Sequence, residues 1–296
     1  MPTISIIVPC YNEEKYIENC LNSLLNSTVD TNRTEIIFID GGSSDRTVEI
    51  IGKYIKNNRD IKLLHNPYRH TPISMNMGIT ASTGEFIFII SAHAAYEAAY
   101  FTKLTDAIMD LNTDCVGGVL ETDVKNKTGC SCAIKKVLTH KLGVGNASFR
   151  TGSNKIRQVD TVAFGCYRRE VFKKIGLYNE QLIRNQDIEL NKRIINAGGQ
   201  IYLIPNVKAT YYARETLKDL ARNNYANGRW NVLTAYYTCS LRSLSLRHFI
   251  PLFFVLSLLL PLLFSLWEPK LLWLSILSLF SYLSLVIIVS LKLRDK

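Results

Sequence analysis

Two short apolar runs in this chain end in side chains that can bind a ligand. Ser5-Ile-Ile-Val-Pro9-Cys-Tyr11-Asn12-Glu13-Glu14 closes on Asn12 and Glu13, and Ile36-Ile-Phe-Ile-Asp40-Gly-Gly-Ser-Ser-Asp45 turns polar at Asp40. Each reads as a buried parallel strand that delivers a loop to the carboxyl edge of a sheet. Ligands of open α/β sheets sit in the crevice beyond those edges. Convergent acceptors and backbone amides there suit a nucleotide, with Asp40 taking a base N–H or a ribose hydroxyl. A third carboxylate, Asp187, lies in Asn185-Gln186-Asp187-Ile188-Glu189-Leu190-Asn191-Lys192-Arg193 at the start of a helical pattern, where the macrodipole favours negative charge. On spacing alone, helix capping is the simpler reading of Asp187. Ile188, Ile194 and Ile195 are expected to face the core.

These residues must be held by an alternation of strand and helix. Strands are expected at residues 4–8, 35–39, 61–64, 86–90 and 115–120, and helices at 15–25, 73–80 and 98–111. Ser44-Asp45-Arg46-Thr47 offers an N-cap for a helix running to Lys56, and Pro72 opens the helix at 73–80. Such alternation predicts a mostly parallel sheet with helices on both faces. Residues 143–155 are rich in glycine and polar side chains and read as a long loop, of the kind that often serves as a lid or acceptor loop.

Composition changes abruptly near the end of the chain. Residues 249–267 and 271–291 are almost wholly Leu, Ile, Val, Phe and Ser, parted by Glu268-Pro269-Lys270. Each stretch has about the 20 residues a helix needs to cross a hydrocarbon core of roughly 30 Å. Pro251 and Pro261 fall in the first, where neighbours can satisfy a broken backbone. Arg242, Arg247 and His248 before the first stretch, with Lys292, Arg294 and Lys296 after the second, place both ends on the cytoplasmic side. Met1 leads within a few residues into the first strand, so no leader is expected. Residues 214–237, with Tyr225, Trp230, Tyr236 and Tyr237, read as an interfacial helix. The expected organisation is a catalytic domain over 1–212, an interfacial segment over 213–247 and a transmembrane helical hairpin over 248–296.

The net charge of +10 is spread along the chain without a basic stripe or a reading motif, which argues against nucleic acid and for an anionic membrane surface or diphosphate groups. Cys130-Ser-Cys132 is too close-set for a usual zinc pair, and the seven cysteines are expected as reduced thiols. The Asn-x-Ser/Thr triplets at Asn26, Asn32, Asn126 and Asn146 are then incidental.

The opening motif V-P-x-Y-N-E-E, followed by a strand ending in D-x-G-S-x-D, resembles the start of family 2 glycosyltransferases. The resemblance extends to a succinoglycan-type (exopolysaccharide) glucosyltransferase subgroup through Asn66-Pro67-Tyr68-Arg69, Asn76-Met77-Gly78-Ile79, Gly143-Val-Gly-Asn146, Val159-Asp160-Thr161-Val162 and Arg168-Arg169-Glu170-Val171-Phe172, from about Ile4 to Pro205. It implies an α/β nucleotide-diphospho-sugar transferase fold of GT-A type, a nucleotide sugar donor and inversion at the anomeric carbon. It further implies transfer of a single sugar from a UDP-hexose to a polyprenyl-diphosphate-linked saccharide at the bacterial cytoplasmic membrane, in exopolysaccharide synthesis. The polyprenyl-phosphate sugar synthases share the early motifs and are an alternative, as is a non-catalytic relative.

Within the family pattern E-D-x-E-L-x-x-R, Asp187 takes the place of the general base, with Gln186 for the first acid and Arg193 for the arginine. Pro9, Tyr11, Asn12, Glu13, Asp40 and Asn76 fall where nucleotide-sugar contacts are implied. The implied Asp-x-Asp motif, which holds Mn²⁺ or Mg²⁺ on the donor diphosphate, reads Ser91-Ala92-His93 here, leaving His93 as a weak metal ligand. Arg69, Arg150 and Arg193 are candidate phosphate or acceptor contacts, and Arg168 and Arg169 further candidate phosphate partners, through their guanidinium forks. Ala226 stands where processive synthases carry the glutamine of Gln-x-x-Arg-Trp, so Arg229-Trp230 does not imply processive synthesis.

Overall fold

The computed structural model describes residues 3–27, 33–145 and 147–294; Met1, Asn32, Asn146 and Lys296, invoked above, lie outside them. Strands β1 (Ile4–Cys10), β2 (Thr34–Asp40), β3 (Ile61–His65) and β4 (Phe86–Ile89) alternate with helices α1 (Ile17–Ser27), α2 (Thr47–Ile55) and α3 (Thr71–Ala81). β1 runs parallel to both β2 and β4, and β2 parallel to β3. Helices cover both faces, so Ile6, Ile7, Val8, Ile37, Phe38 and Ile39 are fully buried without alternation. Gly78 of α3 lets the helix lie close to β1, since a Cβ there would strike the Ile7 side chain.

The rest of the sheet is mixed. β5 (Ala94–Tyr96), α4 (Tyr100–Asp110), β6 (Cys115–Asp123), α5 (Gly129–Thr139), α6 (Lys141–Val144) and α7 (Ser148–Thr151) come next in the chain. They are followed by β7 (Arg157–Gln158), β8 (Cys166–Arg168), α8 (Arg169–Ile175), α9 (Gln186–Asn196) and β9 (Ile201–Tyr212). The strand order is β3-β2-β1-β4-β8-β6-β9-β5, with β7 also on β9. β8 lies antiparallel between β4 and β6, whereas β9 runs parallel to β6.

Three local expectations are corrected. Part of 143–155 is helical: α7 is a single turn, too short to show a period, and so is α6, whose start is capped by His140 Nδ1 accepting from the Leu142 N–H at 3.1 Å. On α9 the core face is Leu190 and Ile194, and Ile188 is only half-buried. Finally β9, interrupted by Pro205, was not expected as a strand. It pairs with β6 across a bulge between Gly117 and Val119, where a Cβ on Gly118 would come 2.5 Å from the Val207 carbonyl oxygen.

After β9 comes α10 (Leu217–Tyr237), begun by Thr216 Oγ1 accepting from the Asp219 N–H at 3.1 Å. The chain then divides between Leu244 and Ser245 into two units. The second holds α11 (Ile250–Phe264) and α12 (Leu272–Arg294). Two segments there, Leu246–Phe264 and Pro269–Leu293, reach mean hydropathies of 2.0 and 2.3 and are long and apolar enough to cross a membrane. The two helices meet through Ser257 Oγ and Ser278 Oγ at 2.7 Å and through Ser275 Oγ donating to the Leu258 carbonyl at 2.7 Å. Polar glue of this kind suits a pair with lipid around it, because hydrocarbon offers hydroxyls no other partner. A chain ending at Leu244 is expected to keep a single cooperative melt by circular dichroism. Loss of that melt would place the second unit in the core of the first.

Candidate active site

The loops after β1 and β2 brace each other. Asn12 takes a left-handed φ of 54°; its N–H donates to Ser43 Oγ at 2.9 Å and its Oδ1 accepts from the Ser44 N–H at 2.8 Å. The Glu13 N–H donates to Thr47 Oγ1 at 2.7 Å, and the Glu14 N–H to Asp45 Oδ2 at 3.0 Å. Asp40, 4% exposed, accepts from the Gly42 N–H at 3.0 Å and the Ser43 N–H at 3.1 Å, closing a turn that needs Gly42 at φ +80°. The spacing of both motifs is therefore that of a knitted double loop. Its consequence is a rigid rim at the carboxyl edge of the sheet.

That rim opens on a cavity of about 270 Å³. The end of β1 and its loop contribute Pro9, Tyr11 and Glu13, the segment after β4 contributes Ser91 and His93, and Arg69, Thr71, Ser74, Tyr167 and Asp187 add further polar groups. His93 Nδ1 lies 3.0 Å from Glu13 Oε1, so the carboxylate absent from the neighbouring motif comes from the β1 loop instead. A carboxylate can only accept, which makes Nδ1 the donor and leaves Nε2 for a ligand. Tyr16 and Tyr211 flank the imidazole edge-on, with centroids at 6.4 and 5.5 Å.

Asp187 is the second residue of α9, yet among the described residues it caps no backbone N–H and pairs with no cation. Burial pushes its carboxyl up from 3.8 to about 6, against a weaker opposing pull from the Tyr178 hydroxyl, which makes no hydrogen bond of good geometry. The helix start is held from outside. Arg184 Nη1 donates to Asn223 Oδ1 and Asn227 Oδ1, both at 2.9 Å, and Asn185 Nδ2 donates to Asn231 Oδ1 at 3.0 Å. One face of α10 is thus an asparagine ladder at four-residue spacing, a signal visible in the sequence and not used above. Tyr225 and Tyr236 are exposed.

The other expected residues lie off this cavity wall. Asn12 and Asp40 build the rim beneath it. Asn76 Oδ1 accepts from the Tyr178 N–H and its Nδ2 donates to the Tyr178 carbonyl, each at 2.9 Å, tying α3 to the segment before Asp187. Arg193 grips Glu189 at 2.6 and 2.8 Å and donates to the carbonyls of Ile175 and Leu177. Arg168 and Arg169 likewise donate to the carbonyls of Thr113, Ile108 and Gly84. Arg150 stacks over Tyr211 and lines a separate cleft. The sequence missed Tyr178, whose run gave no motif, and Tyr211, because β9 itself was not foreseen.

The Glycosyl transferase family 2 model matches residues 5–176. The chain belongs to glycosyl transferase family 2. Its GT-A-like fold and its family make it a glycosyltransferase acting on sugar nucleotides, of a family that in general inverts the anomeric carbon. It is 30% identical over 236 residues, 77% of this chain and 72% of the relative, to a Methanococcus voltae dolichyl N-acetyl-α-D-glucosaminyl phosphate 3-β-D-2,3-diacetamido-2,3-dideoxy-β-D-glucuronosyltransferase. It is 27% identical over 226 residues, 76% of this chain and 67% of the relative, to the succinoglycan biosynthesis protein ExoA of Rhizobium meliloti (strain 1021). Among solved structures it resembles S. aureus TarS 1–349 in complex with UDP-GlcNAc, with a TM-score of 0.54 and 19% identity over 72% of this chain and 59% of that one. A structure of GalNAc-T7 with UDP, GalNAc and Mn²⁺ gives a TM-score of 0.57 and 17% identity over 72% of this chain and 44% of that one.

The residues here make a poor cage for such a cation. Among the described residues no three His, Cys, Asp or Glu side chains converge. The donor set is one imidazole and one carboxylate already bonded to each other, whereas hard cations take an oxygen-rich shell.

Proposed function

We propose that this glycosyltransferase moves one sugar, with inversion, from a UDP-hexose to a saccharide joined through phosphate to a polyprenyl lipid, at the cytoplasmic face of a bacterial inner membrane during surface polysaccharide synthesis. The catalytic domain is 1–212, the segment 213–247 sits at the interface and 248–296 anchors the chain as a helical hairpin. The observation that carries this reading is Asp187: an unpaired carboxylate titrating at about 6, on the same cavity wall as His93, Glu13 and Arg69.

Asp187 takes the proton of the acceptor hydroxyl as its oxygen attacks the anomeric carbon. The bond from that carbon to the diphosphate breaks on the opposite side, and UDP leaves with the electron pair. Charge growing on the diphosphate is met by the His93 ring, braced through Nδ1 by Glu13, and by the Arg69 guanidinium. The rim formed by Pro9, Tyr11, Asn12 and Asp40 holds the uridine.

Two outcomes are expected. The kcat/KM for transfer should fall about tenfold per pH unit as pH drops below 6, because Asp187 acts only when deprotonated; no fall between pH 6 and pH 5 would contradict that role. Asp40→Ala, which removes the acceptor proposed for a uridine donor and frees the half-buried Gly42 and Ser43 N–H groups of the rim, should weaken UDP binding by about 1–3 kcal/mol in calorimetry. Unchanged UDP affinity would remove Asp40 from the uridine rim.

A further inference from the structure

A second cleft, of about 380 Å³, lies among β6, α5, α7 and β9. Its lining includes Glu121, Thr122, Asp123, Lys135, Arg150 and Thr210. The charges in it are unevenly matched. Asp123 pairs with Lys135, and Glu121 with Lys208, so both acids already have a cation. Arg150 has no ion pair among the described residues, and its Nη1 is buried without an acceptor. Thr122 is 3% exposed, and its Oγ1 is also buried without a partner.

Two orphaned polar atoms in one cleft are costly unless something fills them, since buried N–H and O–H groups are nearly always paired. The guanidinium is fixed in place. Its carbon lies 5.1 Å from the centroid of Tyr211 and 5.6 Å from that of Phe149. A stacked guanidinium keeps its N–H edge free, and that edge suits a phosphate oxygen. Tyr211 also lies between a residue of each cleft, because the ring under Arg150 flanks His93 at 5.5 Å. The unmatched arginine is therefore one aromatic ring from the imidazole assigned to the donor diphosphate.

We propose that this cleft binds the phosphate linking the acceptor's sugar to its lipid, with Arg150 and Thr122 as its donors. The assignment rests on the reading of the acceptor given above and adds the subsite that would seat it. It separates the roles of the basic side chains: Arg69 and His93 face the donor, and Arg150 faces the acceptor. A sugar held by its phosphate at Arg150 would present a hydroxyl toward Asp187 and the donor cavity.

The test is calorimetry on the full chain in detergent, saturated with UDP, using farnesyl phosphate and farnesyl diphosphate as probes. The wild type should bind at least one of them, and the better probe tells whether the linker has one phosphate or two. Arg150→Met keeps the stem that packs on Tyr211, and Thr122→Val keeps the shape of a buried strand residue. Each should weaken probe binding at least tenfold, with UDP affinity unchanged. Equal probe affinity in wild type and both variants, displacement of the probe by UDP, or no binding to wild type would overturn the proposal. If the wild type failed to bind UDP, the donor reading would fall separately, and the probe titration without UDP would still decide the subsite.

Discussion

Asp187→Asn is expected to lower turnover by about 10²-fold or more, the usual scale for loss of acid–base catalysis, while UDP affinity stays at the wild-type value. Asparagine keeps the shape of the side chain and removes its basicity. The same variant gives a stability signature of opposite sign to that of a lost helix cap. The folded carboxyl is raised to about 6 from an ordinary 3.8, so its contribution to stability is complete below the lower value and lost as pH rises through the upper one. Above pH 6 the wild type carries the cost of a buried charge that asparagine lacks. The variant should therefore melt at the same or a higher temperature at pH 8, with the difference gone below pH 4. A helix-capping aspartate would behave in reverse, with activity near wild type and a loss of about 1 kcal/mol on replacement by alanine.

The second large effect is expected at His93. Its replacement by Ala removes the imidazole that faces the leaving diphosphate and should cost about 10²–10³-fold in kcat, as loss of a preorganised donor does elsewhere. Glu13→Gln keeps a hydrogen-bond acceptor for Nδ1 but removes the negative charge, so it should fall between wild type and His93→Ala. Turnover should survive a chelator, because the donor set at Ser91-Ala92-His93 does not build a cation cage. Ser91→Asp should raise activity in the presence of Mn²⁺ or Mg²⁺ by restoring one hard ligand. Wild-type enzyme silenced by chelator and restored by ordinary Mg²⁺ would show that the metal, not the His93–Glu13 pair, carries the diphosphate charge.

The first half of the fold was legible because its signals are local. A buried parallel strand announces itself as a β-branched run, and the polar residues that end it mark the sheet edge, as at Val8–Asn12 and Ile39–Ser43. The second half depends on long-range pairing. β9 carries Pro205 and alternates poorly, and only its partner β6, with Gly118 against the Val207 carbonyl, makes it a strand. Missing β9 meant missing Tyr211, the ring that touches both Arg150 and His93. The site was legible in its residue types and less so in their division of labour. Asp40, Asn76 and Arg193 were expected as ligand contacts, and in three dimensions each also holds a loop or helix that carries the cavity wall. The His93–Glu13 pair was hidden for the converse reason: 80 residues separate two side chains that meet at 3.0 Å.

The most direct test is the reaction itself. Full-length protein in detergent would be given a panel of UDP-sugars and a lipid-linked saccharide fraction, and the lipid product examined by mass spectrometry and by NMR of the new anomeric centre. One added sugar in the configuration opposite to that of the donor, absent with Asp187→Asn, is the result expected of an inverting transferase with Asp187 as base. A product that retains the donor configuration, or transfer that persists with Asp187→Asn, would contradict it.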